Sequence, residues 1–473
     1  MRISEAAVPA LVALLSSPAL AQPLATDPAL PPAPADTAQP AAESDHDRFG
    51  WSIASDTYLR LFQRAMLPGP NGALVESEIA VPLYEYASLR ITDIDVPWQA
   101  DSVDLELSAW GNVELGEQDS EYRRVDGDLT VANLRHRVGP AQVTLGRQHY
   151  AGGAARFVRF DGLAVGLRAP LGFGVRAYGG YTVLPRWSMT SGYHLLGSVA
   201  DTLVSSPDRL PDPSREDYWL AGWRVHYRLT DMGEIGVSMH EQHEASALGR
   251  RDMGADLRLT PIDELALTGQ ALVDADSRSP SDIRAAADVI PLDDLTVAAE
   301  YRYTVPALFL SRQSVLSVFS SDAFNEIGGS LSYLVLKRLK LGAHGYADLF
   351  DDGSNGWRTN GRARLAIGPA DQLVLRLGYT RYTGPINGYH ALRGAAGYQI
   401  MEPLRLTAES YGYFYDEPIR GSSAAWVGAL NGEWSFSQRW ATLLGGSVAI
   451  TPYAEVDAQL LARLRVQLAG GER

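Results

Sequence analysis

The stretch Tyr218-Trp219-Leu220-Ala221-Gly222-Trp223-Arg224-Val225-His226-Tyr227-Arg228-Leu229 decides the fold. Its odd positions, Trp219, Ala221, Trp223, Val225, Tyr227 and Leu229, are mostly apolar; its even positions include Gly222, Arg224, His226 and Arg228. Successive side chains of a strand point to opposite faces, so this period of two marks a strand with one dry side and one wet side. Thr230-Asp231-Met232-Gly233 reads as a tight turn, after which Ile235, Val237 and Met239 alternate with Glu234, Gly236, Ser238 and His240. Two such segments joined by a turn predict a hairpin.

Working outward, the same unit recurs from Asp101 to the end of the chain, where twenty segments can be counted, from Val103–Val113 to 455–468. Every second connection is very short, as at Gly139-Pro140, Pro170-Leu171, Asp231-Met232, Lys337-Arg338, Glu402-Pro403 and Ser437-Gln438. The intervening ones are generally longer, as at 116–125, 184–216 and 306–321. Short turns at one rim and long loops at the other are the pattern of an outer-membrane barrel, and most segments reach the roughly 9–11 residues that a tilted membrane strand needs. Closure follows from solvent physics, because an open sheet edge in lipid leaves backbone groups unpaired. The expected fold is all-β: one antiparallel transmembrane barrel of about 20 strands (range 18–22), with short periplasmic turns and longer extracellular loops. Tyr150, Phe160, Tyr181, Trp219, Tyr301, Tyr303, Tyr379, Trp434 and Trp440 lie near segment ends and read as interfacial belts.

Composition agrees. Hydrophobic residues make up 46% of the 473, yet no run of about 18 apolar residues follows position 21, which excludes helical spans. A formal net charge of -15 argues against nucleic-acid partners. The chain has no cysteine, so neither disulfides nor thiolate metal sites are available. Residues 1–21 read as a signal peptide, with an apolar stretch from Ala6 to Leu20 and the small-x-small pattern Ala19-Leu20-Ala21. Residues 22–50 read as a Pro/Ala-rich periplasmic tail too poor in apolar surface to order itself. Residues 51–100 stay open between an added pair of strands and a plug; residues 101–473 are the barrel.

With apolar positions toward lipid, the alternate ones line a lumen. The candidates are Arg176, Arg224, Arg228, Arg258, Arg302, Arg364, Arg376, Arg393 and Arg405, the acids Glu106, Asp256, Glu300 and Glu409, and the tyrosines Tyr411 and Tyr413. Either these charges line a wide aqueous channel, or they pair and satisfy one another. The arginines are spread around the wall, a distribution that suits anionic or sugar-like solutes. A barrel of this size is too wide for side chains alone to fill, and 184–216 is the candidate for a loop folded inward.

Catalytic chemistry is not legible. Gly-x-Ser-x-Gly is missing; His240-Glu241-Gln242-His243-Glu244 falls one residue short of the zinc motif and lies on a strand. Asp351-Asp352-Gly353-Ser354-Asn355-Gly356 lacks the later bidentate Glu of a calcium loop. Neither an enzyme nor a cofactor or metal is expected.

Val143-Thr144-Leu145-Gly146-Arg147-Gln148, followed by Arg159-Phe160-Asp161-Gly162-Leu163, resembles the strand-loop-strand phrase of porin and alginate-exporter families of Gram-negative outer membranes. The resemblance covers about 101–469. It implies an integral outer-membrane barrel with both termini periplasmic, inserted by the barrel assembly machinery, in contact with outer-membrane lipid and either monomeric or trimeric. The alanine-, arginine- and proline-rich style resembles a high-GC organism such as a myxobacterium. The implied function is a channel for small polar solutes, anionic or saccharide. Alternatives are the exit barrel of a polysaccharide-export or surface-assembly (including motility) complex, with a periplasmic or envelope complex as partner, and a non-conducting structural barrel.

Overall fold

The computed structural model describes residues 49–64, 78–95, 102–116, 125–183, 218–229, 232–244, 247–309, 323–385, 387–452 and 454–471. All belong to the compact unit Asp47–Arg473. The first strands are β1 (Gly50–Arg64), β2 (Glu78–Ala80), β3 (Pro82–Asp95), β4 (Ser102–Glu114), β5 (Val125–Val138), β6 (Ala141–Ala151), β7 (Phe157–Arg168) and β8 (Phe173–Thr182). Then come β9 (Trp219–Arg228), β10 (Gly233–Glu244), β11 (Ala247–Ile262), β12 (Leu265–Asp274), β13 (Ser279–Leu292), β14 (Leu295–Thr304), β15 (Phe324–Val335) and β16 (Leu339–Phe350). The last are β17 (Asn355–Ile367), β18 (Leu373–Thr383), β19 (Gly388–Met401), β20 (Leu404–Ile419), β21 (Ser422–Ser435), β22 (Trp440–Thr451) and β23 (Ala454–Gly471).

From β3 to β23 each strand pairs antiparallel with the next. β1 closes the ring, pairing with β3 on one side and with β23 on the other, from Gly50–Gly471 to Phe62–Gln459. The short β2 prolongs β3 and meets the end of β1 at Phe62–Ala80. Among the described residues the wall is therefore twenty-two strands, with β2 as an extension, rather than about twenty. The two additional strands come from residues 50–95, where the choice between a strand pair and a plug had stayed open.

The alternation read from the sequence sets the two faces. Leu377, Leu430, Leu444 and Leu460 are each at least 60% exposed on the outside, whereas Asp252, Asp282 and His240 are buried on the inside. Exposed leucines around a ring without free edges suit hydrocarbon and not water. Leu430 and Asn431 are neighbours on β21 and face opposite ways. Leu430→Arg is expected to cost about 2–4 kcal/mol in urea unfolding from phospholipid bilayers, and Asn431→Arg far less. Equal costs would abolish the assignment of faces, and a larger cost at Asn431 would invert it.

Polar groups also occupy outward positions, as in the β1–β3 hairpin. Glu85 accepts hydrogen bonds from Ser55 Oγ at 2.6 Å and Thr57 Oγ1 at 2.5 Å. Ser55 and Thr57 sit in register with Val466 and Leu464 of the outer face. The two hydroxyls satisfy much of the carboxylate where an unpaired polar group would be expensive.

Two aromatics assigned to the interfacial belt belong inside. Phe160 is fully buried, and Tyr150 stacks on Tyr178 with centroids 4.2 Å apart. Tyr181, Trp219, Tyr379, Trp434 and Trp440 are exposed on the outside.

Candidate functional site: the lumen wall and its inward hook

Between β6 and β7 the chain turns inward instead of closing a plain hairpin. Residues Gly153–Ala155 form a single 3-10 turn, and all three are buried. Four strands hold it. Ala154 N donates to Ser238 Oγ of β10 at 2.8 Å, and Arg250 Nη2 of β11 donates to Ala155 O at 3.0 Å. Gln270 Nε2 of β12 donates to Gly153 O, and Arg156 Nη2 donates to Ser281 Oγ of β13, both at 3.0 Å. The turn's buried backbone groups thus find side-chain partners in place of water. Its Ala155 packs on an apolar pad of Val158, Phe160, Tyr178 and Leu220. Burying Phe160 and Leu220 contributes on the order of 1.5–3 kcal/mol each. Gly153 is required here: its φ is +53°, and a Cβ would lie 2.8 Å from that of Ser238.

The hook therefore packs against the wall from β7 to β13. The run Gly152-Gly153-Ala154-Ala155, all small residues beside a charged wall, was its only sequence signal, and Ser238, Arg250 and Gln270 gave none. The segment 184–216, proposed from sequence as the inward loop, lies outside the described residues.

All fifteen sequence candidates fall on the inward face by register, but they divide into groups. Arg224 is bound by Asp256 at 2.5 Å and Glu234 at 2.7 Å. Arg393 approaches Glu409 at 3.6 Å and stacks over Tyr411 at 4.8 Å, and Tyr411 Oη donates to Glu409 at 2.8 Å. Arg302 is 3.9 Å from the buried Asp282, which Arg284 holds at 3.0 Å. Tyr413 meets Tyr389 edge-on at 5.7 Å. Glu106 faces inward opposite Asn133, and Glu300 opposite Gly328. Arg176 is inward on β8, opposite Arg224. Arg228, Arg258, Arg364, Arg376 and Arg405 all lie within a few residues of the short turns and form an arginine-rich collar at that rim, with Glu234 in register with Arg228 and Arg258 and Glu433 with Arg405. Arg364 there reaches Asp371 at 3.3 Å. Away from the collar, many of the wall's charges pair with neighbours on adjacent strands.

The motif at 143–163 closes a gap in the wall. Register between β5 and β6 ends at Ala132–Arg147. There the Arg147 guanidinium donates to Leu129 O at 2.7 Å and to Asp128 at 3.0 Å. It also makes a two-pronged bond to Asp161, at 2.7 and 2.8 Å. Arg159 adds a second contact to Asp128 at 3.2 Å. Gln148 Nε2, buried beside it, donates to Thr144 O and Gly162 O. The side chain of Arg147 replaces the ladder bonds lost where the strands part.

Among the described residues no group of three ligating side chains gathers to hold a metal ion.

No family model matches the chain, and no curated protein matches it. Solved structures do. The outer membrane protein opdK of Pseudomonas aeruginosa is 11% identical, with 89% of this chain and 99% of that one covered at a TM-score of 0.39. OccAB4 of Acinetobacter baumannii is 9% identical, with 90% and 100% covered at 0.42. The translocation pore of the P pilus usher PapC is 10% identical, with 89% and 99% covered at 0.41.

Proposed function

We propose that the protein is an integral outer-membrane channel that lets small polar solutes cross passively, with both ends of the barrel strand order facing the periplasm. The observation that carries this reading is the closed twenty-two-stranded ring, apolar outside and charged inside, with a hook that packs on the β7–β13 side of the lumen. A ring of this size encloses more space than its own side chains fill. The hook narrows that space from the β7–β13 side. The chain acts by shape and polarity and performs no bond chemistry. Reconstitution of the full chain in planar lipid bilayers is expected to give discrete, ohmic conductance steps. Correctly folded, heat-modifiable protein that never conducts would overturn the channel reading.

A further inference from the structure

The pairing registers place one inward-facing row of residues on a climb through the whole wall. The row begins at Arg228 of β9, next to a short turn, and passes through Glu234 and Arg258. It continues through Thr268, Ala286, Glu300 and Gly328 on β12 to β15. It then runs through Tyr346, Arg358, Tyr382, Tyr389 and Tyr415 on β16 to β20. Tyr415 stands near the opposite rim, shortly before the β20–β21 turn. Strands tilt in a closed barrel, so a row that crosses them at right angles spirals along the axis. Each step of about 4.8 Å at a tilt of roughly 40° rises about 3 Å.

The upper half of this spiral is aromatic. Tyr346 lies across the bare backbone of Gly328, where a Cβ would fall 2.8 Å from its ring carbon Cγ. Arg358 stacks over the same ring at 5.2 Å. Tyr382 and Tyr389 follow with centroids 5.4 Å apart, and Tyr413 meets Tyr389 from the side. Two arginines beside the rings are paired: Arg358 with Glu326 at 2.9 Å, and Arg393 with Glu409 at 3.6 Å. Such a surface offers ring faces, hydroxyls and guanidinium–carboxylate pairs, with the further carboxylates Glu300 and Asp348 beside Tyr346 and Tyr382. An anion would have to displace a carboxylate from its arginine. A neutral pyranose would stack its C–H face on a tyrosine and share its hydroxyls with both members of a pair.

We infer that the Tyr346–Tyr415 spiral is a binding track for neutral oligosaccharides, along which a chain of sugar rings is led from the long-loop rim toward the arginine-rich collar. The inference rests on the channel reading and names its solute class. The test uses the full chain in planar bilayers, with maltohexaose as the probe and gluconate and a polyethylene glycol of similar size as comparators. Maltohexaose is expected to block the ion current saturably, and the double variant Tyr382→Ala/Tyr389→Ala to weaken that block about tenfold, each block measured as a fraction of that channel's own open current. Heat-modifiable migration on a gel confirms that the variant has folded; a variant that does not fold is replaced by Tyr382→Leu/Tyr389→Leu, which keeps more apolar bulk than alanine and removes the hydroxyls and ring faces. A channel that conducts but shows no saturable maltohexaose block overturns the track and leaves the channel standing. So does equal block by the polyethylene glycol, stronger block by gluconate, or block that the folded variant retains. Absence of conductance strikes the channel reading itself.

Discussion

Replacing residues 152–156 with an Asn-Gly turn is expected to raise single-channel conductance roughly two- to fivefold. The replacement is compatible with the fold, because Ala151 and Phe157 are direct cross-strand partners and a two-residue turn joins such a pair. What it removes is the hook: the buried 3-10 turn, its four pins to Ser238, Arg250, Gln270 and Ser281, and the cover over Phe160 and Tyr178. Arg250 and Gln270 then face water, which the lumen can supply, so the wall survives the loss. The permitted solute size should rise with the conductance, measured by polymer exclusion. An unchanged conductance in a folded variant would mean that the ions pass elsewhere and that the hook only braces the wall.

The second large effect is on assembly. Arg147→Ala is expected to destabilise the barrel by about 3–5 kcal/mol, the cost of stripping one partner from a buried ionic cluster. Arg147 is only 9% exposed, and its removal leaves Asp161 without its two-pronged partner and Leu129 O without a donor. Asp128 keeps Arg159. The readout is a lower urea midpoint and a smaller fraction of heat-modifiable folded protein. Arg364→Ala serves as the comparison: its pair with Asp371 is exposed at the rim, where such contacts contribute little. Similar losses for the two variants would show that Arg147 is an ordinary rim charge.

Sequence periodicity located the twenty strands from β4 to β23, because each carries a steady exchange of apolar and polar residues. It did not decide β1 and β3, and Ser55, Thr57 and Glu85 explain why. These polar residues occupy outward positions and satisfy one another, so the dry face of the hairpin looks wet when each strand is read alone. Phe160 misled for the opposite reason. It is an aromatic near a strand end, as a belt residue would be, but the turn of its own hairpin folds inward and covers it. The lumen candidates were legible as a face; their division into paired charges, a collar and an aromatic spiral was not. That division depends on register between strands, which a one-dimensional alternation does not contain.

The seam between β1 and β23 has a consequence for biogenesis. Thirteen consecutive register positions join the earliest strand to the latest, with some four hundred residues between them. The ladder partner of β1 does not exist until the far end of the chain has been delivered. For that whole interval one flank of β1 offers unpaired amides to any passing strand. A chain stopped before β23 would keep two raw flanks, so truncated products should be cleared by envelope proteases and not stored as smaller rings.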